Sequence, residues 1–225
     1  MGYSIEVNGD SCYPNTTCLI NKFKIKDDKK LSQIEAEITF AKAAVLESEE
    51  AKPPFDFEFY KSIHRFLFED LYDWAGELRR VDISKKGTSF CKVNELGDLC
   101  EACFKRLEKL NYFIDLSREK FVEEIVDLYQ ITNFLHPFRE GNGRTQRIFI
   151  SKIIKYNGYD FNFSNINPDL LMIATIKAAN GIMNDLYNIF GSEIKWFIDL
   201  YLYDYEYGSF VFVFLSVADF IVFVV

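Results

Sequence analysis

Residues 136–147 of the chain read HPFREGNGRTQR, and chemically distinctive side chains are concentrated in this run. Gly141 and Gly143 flank Asn142 directly before a predicted helix, so backbone N–H groups can point together at one spot. A helix N-terminus adds a partial positive charge to such a turn. The sequence therefore predicts an anion cradle at this turn.

Charged side chains surround the predicted cradle. Arg144 and Arg147 lie one helical turn apart and share a face, and guanidinium groups suit bidentate phosphate contacts. Glu140 is placed to hold Mg²⁺ that bridges phosphate oxygens. His136 precedes the loop, and imidazole has an intrinsic pKa suited to accepting a proton from a hydroxyl. The set predicts phosphoryl-type transfer, against the simpler alternative of a helix-cap turn with a buried histidine and surface arginines.

Helical periodicity dominates the rest of the chain. Asp56 and Ser117 are predicted N-caps of two of the helices. Loose alternation over Leu78–Ile83 and Phe90–Val93, around Gly87, predicts a short β-hairpin instead. The fold class is therefore mainly α. The predicted helices are Lys30–Ser48, Phe57–Leu71, Asn94–Leu110, Arg118–Asn133, Arg144–Tyr156, Pro168–Tyr187 and Glu193–Tyr203.

Composition limits the class of partner and the compartment. The chain has 225 residues and a net charge of -8, which argues against binding to phosphate backbones of nucleic acids. Its five cysteines are an odd number, and no secretory signal precedes them, so we expect a cytoplasmic protein. Cys100 and Cys103 form a lone CxxC, which we interpret as small apolar residues on a helix face.

The run Gly208–Val225 is almost wholly apolar and rich in β-branched and aromatic residues. This composition favours β structure, such as a C-terminal hairpin. The alternatives are a pairing edge for another subunit, a cloning artefact and a membrane tail anchor, for which the length is marginal. Membrane attachment is the less favoured interpretation.

The 136–147 run resembles the signature of Fic-domain proteins, HxFx(D/E)GNGRxxR, and matches it at every fixed position. Residues 64–79, HRFLFEDLYDWAGELR, resemble the stretch that leads into the substrate-docking flap of that family. Residues 81–90, VDISKKGTSF, resemble the flap itself. The resemblance implies a Fic-type helical bundle with a hairpin flap over residues 55–197, after an arm at 1–54 and before a tail at 198–225.

The resemblance also implies the activity of a protein adenylyltransferase, which moves AMP from ATP to a Ser, Thr or Tyr hydroxyl. His136 would take the hydroxyl proton, Glu140 would bind Mg²⁺, and Phe138 would pin the loop to the core. The cradle residues Gly141, Asn142 and Gly143 would hold the α- and β-phosphates. Arg144 would support the leaving phosphates and Arg147 the γ-phosphate.

The flap would align a target segment by strand addition, which tolerates many sequences because main-chain hydrogen bonds do the docking. The flap residues are Ser84, Lys85, Lys86, Gly87 and Thr88. His64, the only other histidine, is interpreted as structural.

Many members of the family are silenced by a helix whose glutamate pairs with the last arginine of the motif. Residues 31–37, LSQIEAE, resemble that element, although Ser32 and Glu35 are one residue too close together. Glu35 is the first choice for the inhibitory residue and Glu37 the second, and the two point about 200° apart on a helix. The alternative is a solvated helix face.

Other activities fit the same sequence. They are transfer of phosphate, phosphocholine or UMP, removal of AMP with Glu35 holding a water, and nucleotide sensing without catalysis. The expected partner is a protein with a hydroxyl side chain, and self-modification and self-association are further expectations. The 172–184 segment, including Asn180, is a candidate adenine pocket.

Overall fold

The computed structural model describes residues 4–5, 11–85, 88–196, 211–216 and 219–224, of which 4–5, 88 and the ranges beyond 210 are described by backbone alone. Lys86 and Gly87 of the predicted flap turn lie outside the described residues. Most of the described chain is helical, which confirms the mainly α class. The helices are α1 (Asp28–Ser48), α2 (Phe57–Phe68), α3 (Val93–Lys109), α4 (Arg118–Leu135), α5 (Asn142–Tyr156), α6 (Pro168–Ala179) and α7 (Asn184–Glu193).

Local capping chemistry fixes where helices begin. The Asp56 carboxylate accepts a hydrogen bond from the N–H of Phe59 at 2.8 Å, and the Ser117 hydroxyl accepts one from the N–H of Lys120 at 3.3 Å. Each side chain satisfies an N–H that has no partner within its helix. Both predicted caps are confirmed.

Two predictions near the C-terminus are wrong. The predicted helix Pro168–Tyr187 is broken into α6 and α7, because the chain turns at Gly181 with a positive φ of 87°. The predicted helix Glu193–Tyr203 fails in its described part, where Lys195–Trp196 pairs as a strand with Tyr159–Asp160. Residues 197–203 lie outside the described ranges.

A small antiparallel sheet forms next to the motif. The predicted hairpin is confirmed, with strands β2 (Ile83–Lys85) and β3 (Thr88–Ser89). Its strands are shorter than predicted, and the second strand ends before Val93, which is the first residue of α3. The arm adds a third strand, β1 (Ser4–Ile5), to the free edge of β2.

The remaining described strands form two separate antiparallel pairs. Strands β4 (Tyr159–Asp160) and β5 (Lys195–Trp196) join the end of α5 to the end of α7. Strands β6 (Val211–Ser216) and β7 (Asp219–Val224) form an antiparallel pair, which confirms the predicted C-terminal hairpin in its backbone. Within the described ranges, no helix is both long and apolar enough to cross a membrane.

Helix α5 lies at the centre of the hydrophobic core. Phe149, Ile150 and Ile153 on this helix are completely buried, and full burial of such a side chain stabilises the fold by about 1.5–3 kcal/mol. Leu31 and Leu46 of α1 belong to the same core cluster, so packing crosses the predicted boundary at residue 54. The arm and the motif are therefore held by one core.

The cysteines are free thiols. Cys100 and Cys103 lie on the buried side of α3, and burial raises the pKa of each thiol to about 12. Both stay protonated at neutral pH, in keeping with their interpretation as apolar residues.

Candidate active site

The loop between α4 and α5 is closed by one asparagine. Asn142 donates from Nδ2 to the carbonyl of Phe138 at 2.7 Å and accepts from the N–H of Phe138 at 2.8 Å. Its side chain is thus committed to the loop itself, and only its backbone N–H remains to contact a phosphate. The place of Asn142 in the cradle, which the sequence assigns to backbone N–H groups, stays a prediction.

Glycine is required at the turn for two reasons. Gly141 has a φ of +79°, and a Cβ there would lie 2.2 Å from the ring of Phe68. Any larger residue would have to displace that ring, so the turn depends on close approach as well as on backbone freedom. The N–H groups of Asn142 and Gly143 then head helix α5, as the cradle prediction requires.

His136 is held at the C-terminal end of α4 with 6% of its surface exposed. Its Nδ1 lies 3.1 Å from the carbonyl oxygen of Asn133, so Nδ1 carries the hydrogen and Nε2 the lone pair. The ring stacks on Phe90 at 3.7 Å between centroids. Burial lowers the pKa of His136 to about 3, and the nearby charges of Lys85 and Arg79 act in the same direction. The imidazole is therefore neutral at pH 7 and can accept a proton.

Glu140 faces the start of the cradle. Its Oε1 accepts a hydrogen bond from the N–H of Gly141 at 2.9 Å and lies 3.7 Å from Nη2 of Arg144. Burial and the charge of Glu35 raise the pKa of Glu140. Within the described ranges Oε2 has no hydrogen bond. One carboxylate oxygen beside phosphate-binding groups is a donor set that suits Mg²⁺, which takes its other ligands from phosphates and water.

Arg144 is anchored by the N-terminal helix. Its guanidinium donates to Glu35 Oε1 at 2.5 Å and to Thr39 Oγ1 at 2.9 Å, and it packs over the ring of Phe68. The hydroxyl of Tyr72 donates to the other oxygen of Glu35 at 2.5 Å. Glu35 is consequently buried with both carboxylate oxygens in use.

This geometry contradicts the predicted pairing of Glu35 with Arg147, while autoinhibition by α1 stays a prediction. Glu35 pairs with Arg144 and not with Arg147, while Ser32 and Glu37 are exposed on the other side of α1. The helix turn that carries Glu35 faces the first arginine of α5, so the contact predicted from the sequence is wrong. Because both oxygens of Glu35 are engaged, the alternative in which Glu35 holds a water for AMP removal has no support here either.

Arg147 lies on the open side of the cradle. Its side chain is exposed, and its Nη1 would be 3.3 Å from a Cβ added at Gly143. Within the part of the chain that the structure describes, it has no hydrogen bond or ion pair. Arg144 lies close enough for its charge to act on Arg147.

The flap reaches the motif through Lys85. Lys85, at the end of β2, lies close enough for its charge to act on both His136 and Glu140, the predicted base and metal ligand. Ser84 pairs with Ser89 across the hairpin and with Ser4 of the arm. Thr88 begins β3, and Lys86 and Gly87 lie outside the described residues.

The N-terminal arm also contacts the motif directly. Arg139 is buried, and its Nε donates to the hydroxyl of Ser11 at 3.0 Å. Together with the pairing of β1 and β2, this contact ties the arm to both the catalytic loop and the flap.

Sequence reasoning missed several residues that hold the site. Arg79 is buried and donates to the carbonyls of His136, Val81, Cys91 and Leu135. The stacking of Phe90 on His136 and the roles of Thr39 and Tyr72 were missed as well. The available signal was weak, because Arg79 lies beside the exposed Arg80 in a stretch that mixes charged and apolar residues.

The candidate adenine region has no supporting contact. Asn180 is exposed at the end of α6, where its Nδ2 donates to the carbonyl of Ile176 at 2.8 Å. This asparagine caps a helix end, and its place in a pocket stays a prediction.

Comparison with known proteins agrees with this geometry. Residues 54–154 match the Fic/DOC family. The probable protein adenylyltransferase Fic of Escherichia coli (strain K12) is 32% identical over 183 residues, which cover 81% of this chain and 90% of that protein. The protein adenylyltransferase of Bartonella henselae is 35% identical over 195 residues, which cover 79% of this chain but 36% of that protein. The structure of the BepC protein of Bartonella tribocorum with bound AMPPNP has a TM-score of 0.77 at 27% identity, covering 82% of this chain and 96% of that one.

Proposed function

The chain belongs to the Fic/DOC family and is a nucleotidyltransferase, and from this premise we propose that it transfers AMP from ATP to a Ser, Thr or Tyr hydroxyl of target proteins. The observation that carries the proposal is the tautomer of His136. Its Nδ1–H is bound to a backbone carbonyl, so the lone pair is on Nε2, in a ring that is neutral at pH 7. An imidazole in this state can accept a hydroxyl proton, which the protonated ring cannot.

In the proposed reaction, the target hydroxyl gives its proton to Nε2 of His136. The hydroxyl oxygen forms a bond to the α-phosphorus of ATP, and the bond from that phosphorus to the bridging oxygen of the β-phosphate breaks. Pyrophosphate leaves with the bridging oxygen and its electron pair. The N–H groups at the start of α5 stabilise the negative charge that develops on the α-phosphate.

The two arginines have different proposed roles. Arg144 is already oriented by Glu35 and Thr39, so it meets the phosphates without losing much side-chain freedom. Arg147 is exposed and available to the γ-phosphate. Glu140 would hold Mg²⁺, which supplies charge neutralisation on the phosphate oxygens when bound.

Target docking is proposed to occur along the flap by strand addition. The arm already uses this mode, because Ser4 and Ile5 pair as an extended segment with Ser84 and Ile83 on the edge of β2, and a target segment would take the place of β1. In this mode, contacts around Lys85 distinguish the side chains of one target from those of another.

Labelled ATP tests the proposal. The full chain is incubated with Mg²⁺ and with α-labelled or γ-labelled ATP, alone and with a total protein extract. We expect label on protein from the α position only, and none with His136→Ala. Label from the γ position alone would indicate a kinase, and absence of label with ATP still bound would indicate a nucleotide-sensing protein; either result overturns the proposal.

A further inference from the structure

His64 has no step in the reaction above, yet its ring joins two backbone segments of the site. The N–H of Gly76 donates to Nδ1 of His64 at 2.8 Å. Nε2 of the same ring lies 3.0 Å from the carbonyl oxygen of Glu140. Since a backbone N–H can only donate and a carbonyl can only accept, Nδ1 carries the lone pair and Nε2 the hydrogen. We propose that His64, in this tautomer, is a positioning residue that sets the orientation of the Glu140–Gly141 peptide.

Packing leaves the His64 ring no freedom to turn. It is fully buried and stacks on Phe138 with 3.8 Å between centroids and 12° between planes. It also stacks on Phe68, with 4.7 Å between centroids. The stack fixes the plane of the ring, and the two hydrogen bonds fix its rotation within that plane.

The peptide between Glu140 and Gly141 transmits the constraint. A peptide unit is planar, and its C=O and N–H point in opposite directions. Anchoring the Glu140 carbonyl on His64 therefore directs the Gly141 N–H, which donates to Glu140 Oε1 at 2.9 Å. The ring thus controls the carboxylate proposed to hold Mg²⁺, although it touches neither ATP nor the metal.

The contact with Gly76 gives His64 a second role in the same assembly. Gly76 has a φ of +83° and lies in the turn that leads from α2 towards the flap. A Cβ at this position would lie 2.9 Å from the Cβ of Arg65. His64 therefore holds the approach to the flap and the catalytic loop at one fixed separation.

Nuclear magnetic resonance tests the tautomer without any reaction. The chain has two histidines, and the structure assigns them opposite neutral tautomers, Nδ1–H in His136 and Nε2–H in His64. Long-range proton–nitrogen correlation on the ¹⁵N-histidine-labelled full chain at neutral pH should show one of each. The variant His136→Asn should remove the Nδ1–H set. Two Nδ1–H rings, or rapid exchange between tautomers at His64, would overturn the proposal.

Two amide variants separate the two hydrogen bonds. The His64→Gln amide nitrogen falls near the former Nε2 and keeps a donor for Glu140, whereas the His64→Asn oxygen falls near the former Nδ1 and keeps only the acceptor for Gly76. The readout is the Mg²⁺ affinity of the complex with AMPPNP, measured by calorimetry. We expect His64→Asn to weaken Mg²⁺ binding about tenfold, because a buried carbonyl loses its donor, and His64→Gln to stay within about twofold of the native chain.

The control is the melting temperature of the same variants. If Mg²⁺ affinity falls equally in both variants, in step with their melting temperatures, the role of His64 is only structural and the inference fails. The significance for catalysis rests on the proposed function, but neither readout requires AMP transfer. A native chain with the expected tautomers and the expected Mg²⁺ pattern, but without transfer of label, would refute the proposed function and leave the role of His64 intact.

Discussion

Replacing Glu35 with glutamine is expected to weaken ATP binding and to lower stability. The native carboxylate accepts from Arg144 at 2.5 Å and from the hydroxyl of Tyr72 at 2.5 Å. Glutamine preserves the shape but removes the charge, and its amide nitrogen cannot accept a hydrogen bond. One of the two donors must therefore lose its partner.

The size of the effect follows from burial. A hydrogen bond to a charged group contributes about 1.5–3 kcal/mol, and partial solvation reduces this. Because the side chains of Arg144 and Glu35 are 27% and 12% exposed, we expect a loss of about 2 kcal/mol. In a chain of this size that corresponds to a fall of about 4–8 °C in melting temperature. Releasing the Arg144 side chain should raise the KM for ATP by about twofold to tenfold.

The matched control is Glu37→Gln, which removes the same charge from an exposed position on the same helix. Both variants are compared by calorimetric melting and by initial rates with α-labelled ATP. We expect no change with Glu37→Gln. If Glu35→Gln is as stable as the native chain, or transfers AMP faster, then Glu35 restrains Arg144 instead of orienting it, and the reasoning is refuted.

Three further predictions follow from the site. Gly141→Ala should cost about 3 kcal/mol of stability through backbone strain and overlap with the ring of Phe68. The control Gly97→Ala, in an open helical position, should add up to about 1 kcal/mol. Denaturant unfolding measures the stability of both variants. Arg147→Ala should weaken AMPPNP binding about tenfold or more, measured by calorimetry, and leave the melting temperature unchanged. Arg144→Ala should lower both the AMPPNP affinity and the melting temperature. A stability loss in Arg147→Ala would contradict the absence of partners within the described chain. Because the folded pKa of His136 is about 3 and its ordinary value is 6.5, the unfolded chain binds the proton first, so the stability present above pH 6.5 is lost as the pH falls towards 3. Between pH 6.5 and 5 the native chain should lose about 2 kcal/mol more than His136→Asn, and parallel pH profiles for the two would refute the low pKa.

Features set by short segments of sequence could be predicted. Asp56 and Ser117 cap helices through hydrogen bonds to residues three positions away, so the local sequence is enough to predict where those helices begin. The positive φ at Gly141 is equally local, whereas the close approach of the Phe68 ring from α2 is not. The predicted cradle, base and arginines lie in one continuous segment, so their closeness could be predicted for the same reason.

Features set by distant partners could not be predicted. Helical spacing places Glu35 on the buried face of α1 but does not say which arginine of α5 that face meets. The pairing of β4 with β5 joins residues more than thirty positions apart through two-residue strands, which leave no periodicity. The break at Gly181 was missed because apolar spacing continues across it, and one glycine is a weak signal against twenty residues of pattern.

Side chains of helix α5 form hydrogen bonds to the α1 segment at two places. Near its start Arg144 holds Glu35, and two turns later Lys152 donates from Nζ to the carbonyls of Leu46 and Glu49 at 2.7 and 3.0 Å. The match to the Fic/DOC family model begins at residue 54, after both of these contacts, whereas the alignment with the Escherichia coli relative covers 81% of the chain and so extends before that residue. A fragment cut at that border would expose the flank of α5 and leave a lysine and an arginine without their counterparts. The match to the family model and the hydrophobic core therefore begin at different residues, because α1 belongs to the core but precedes the match.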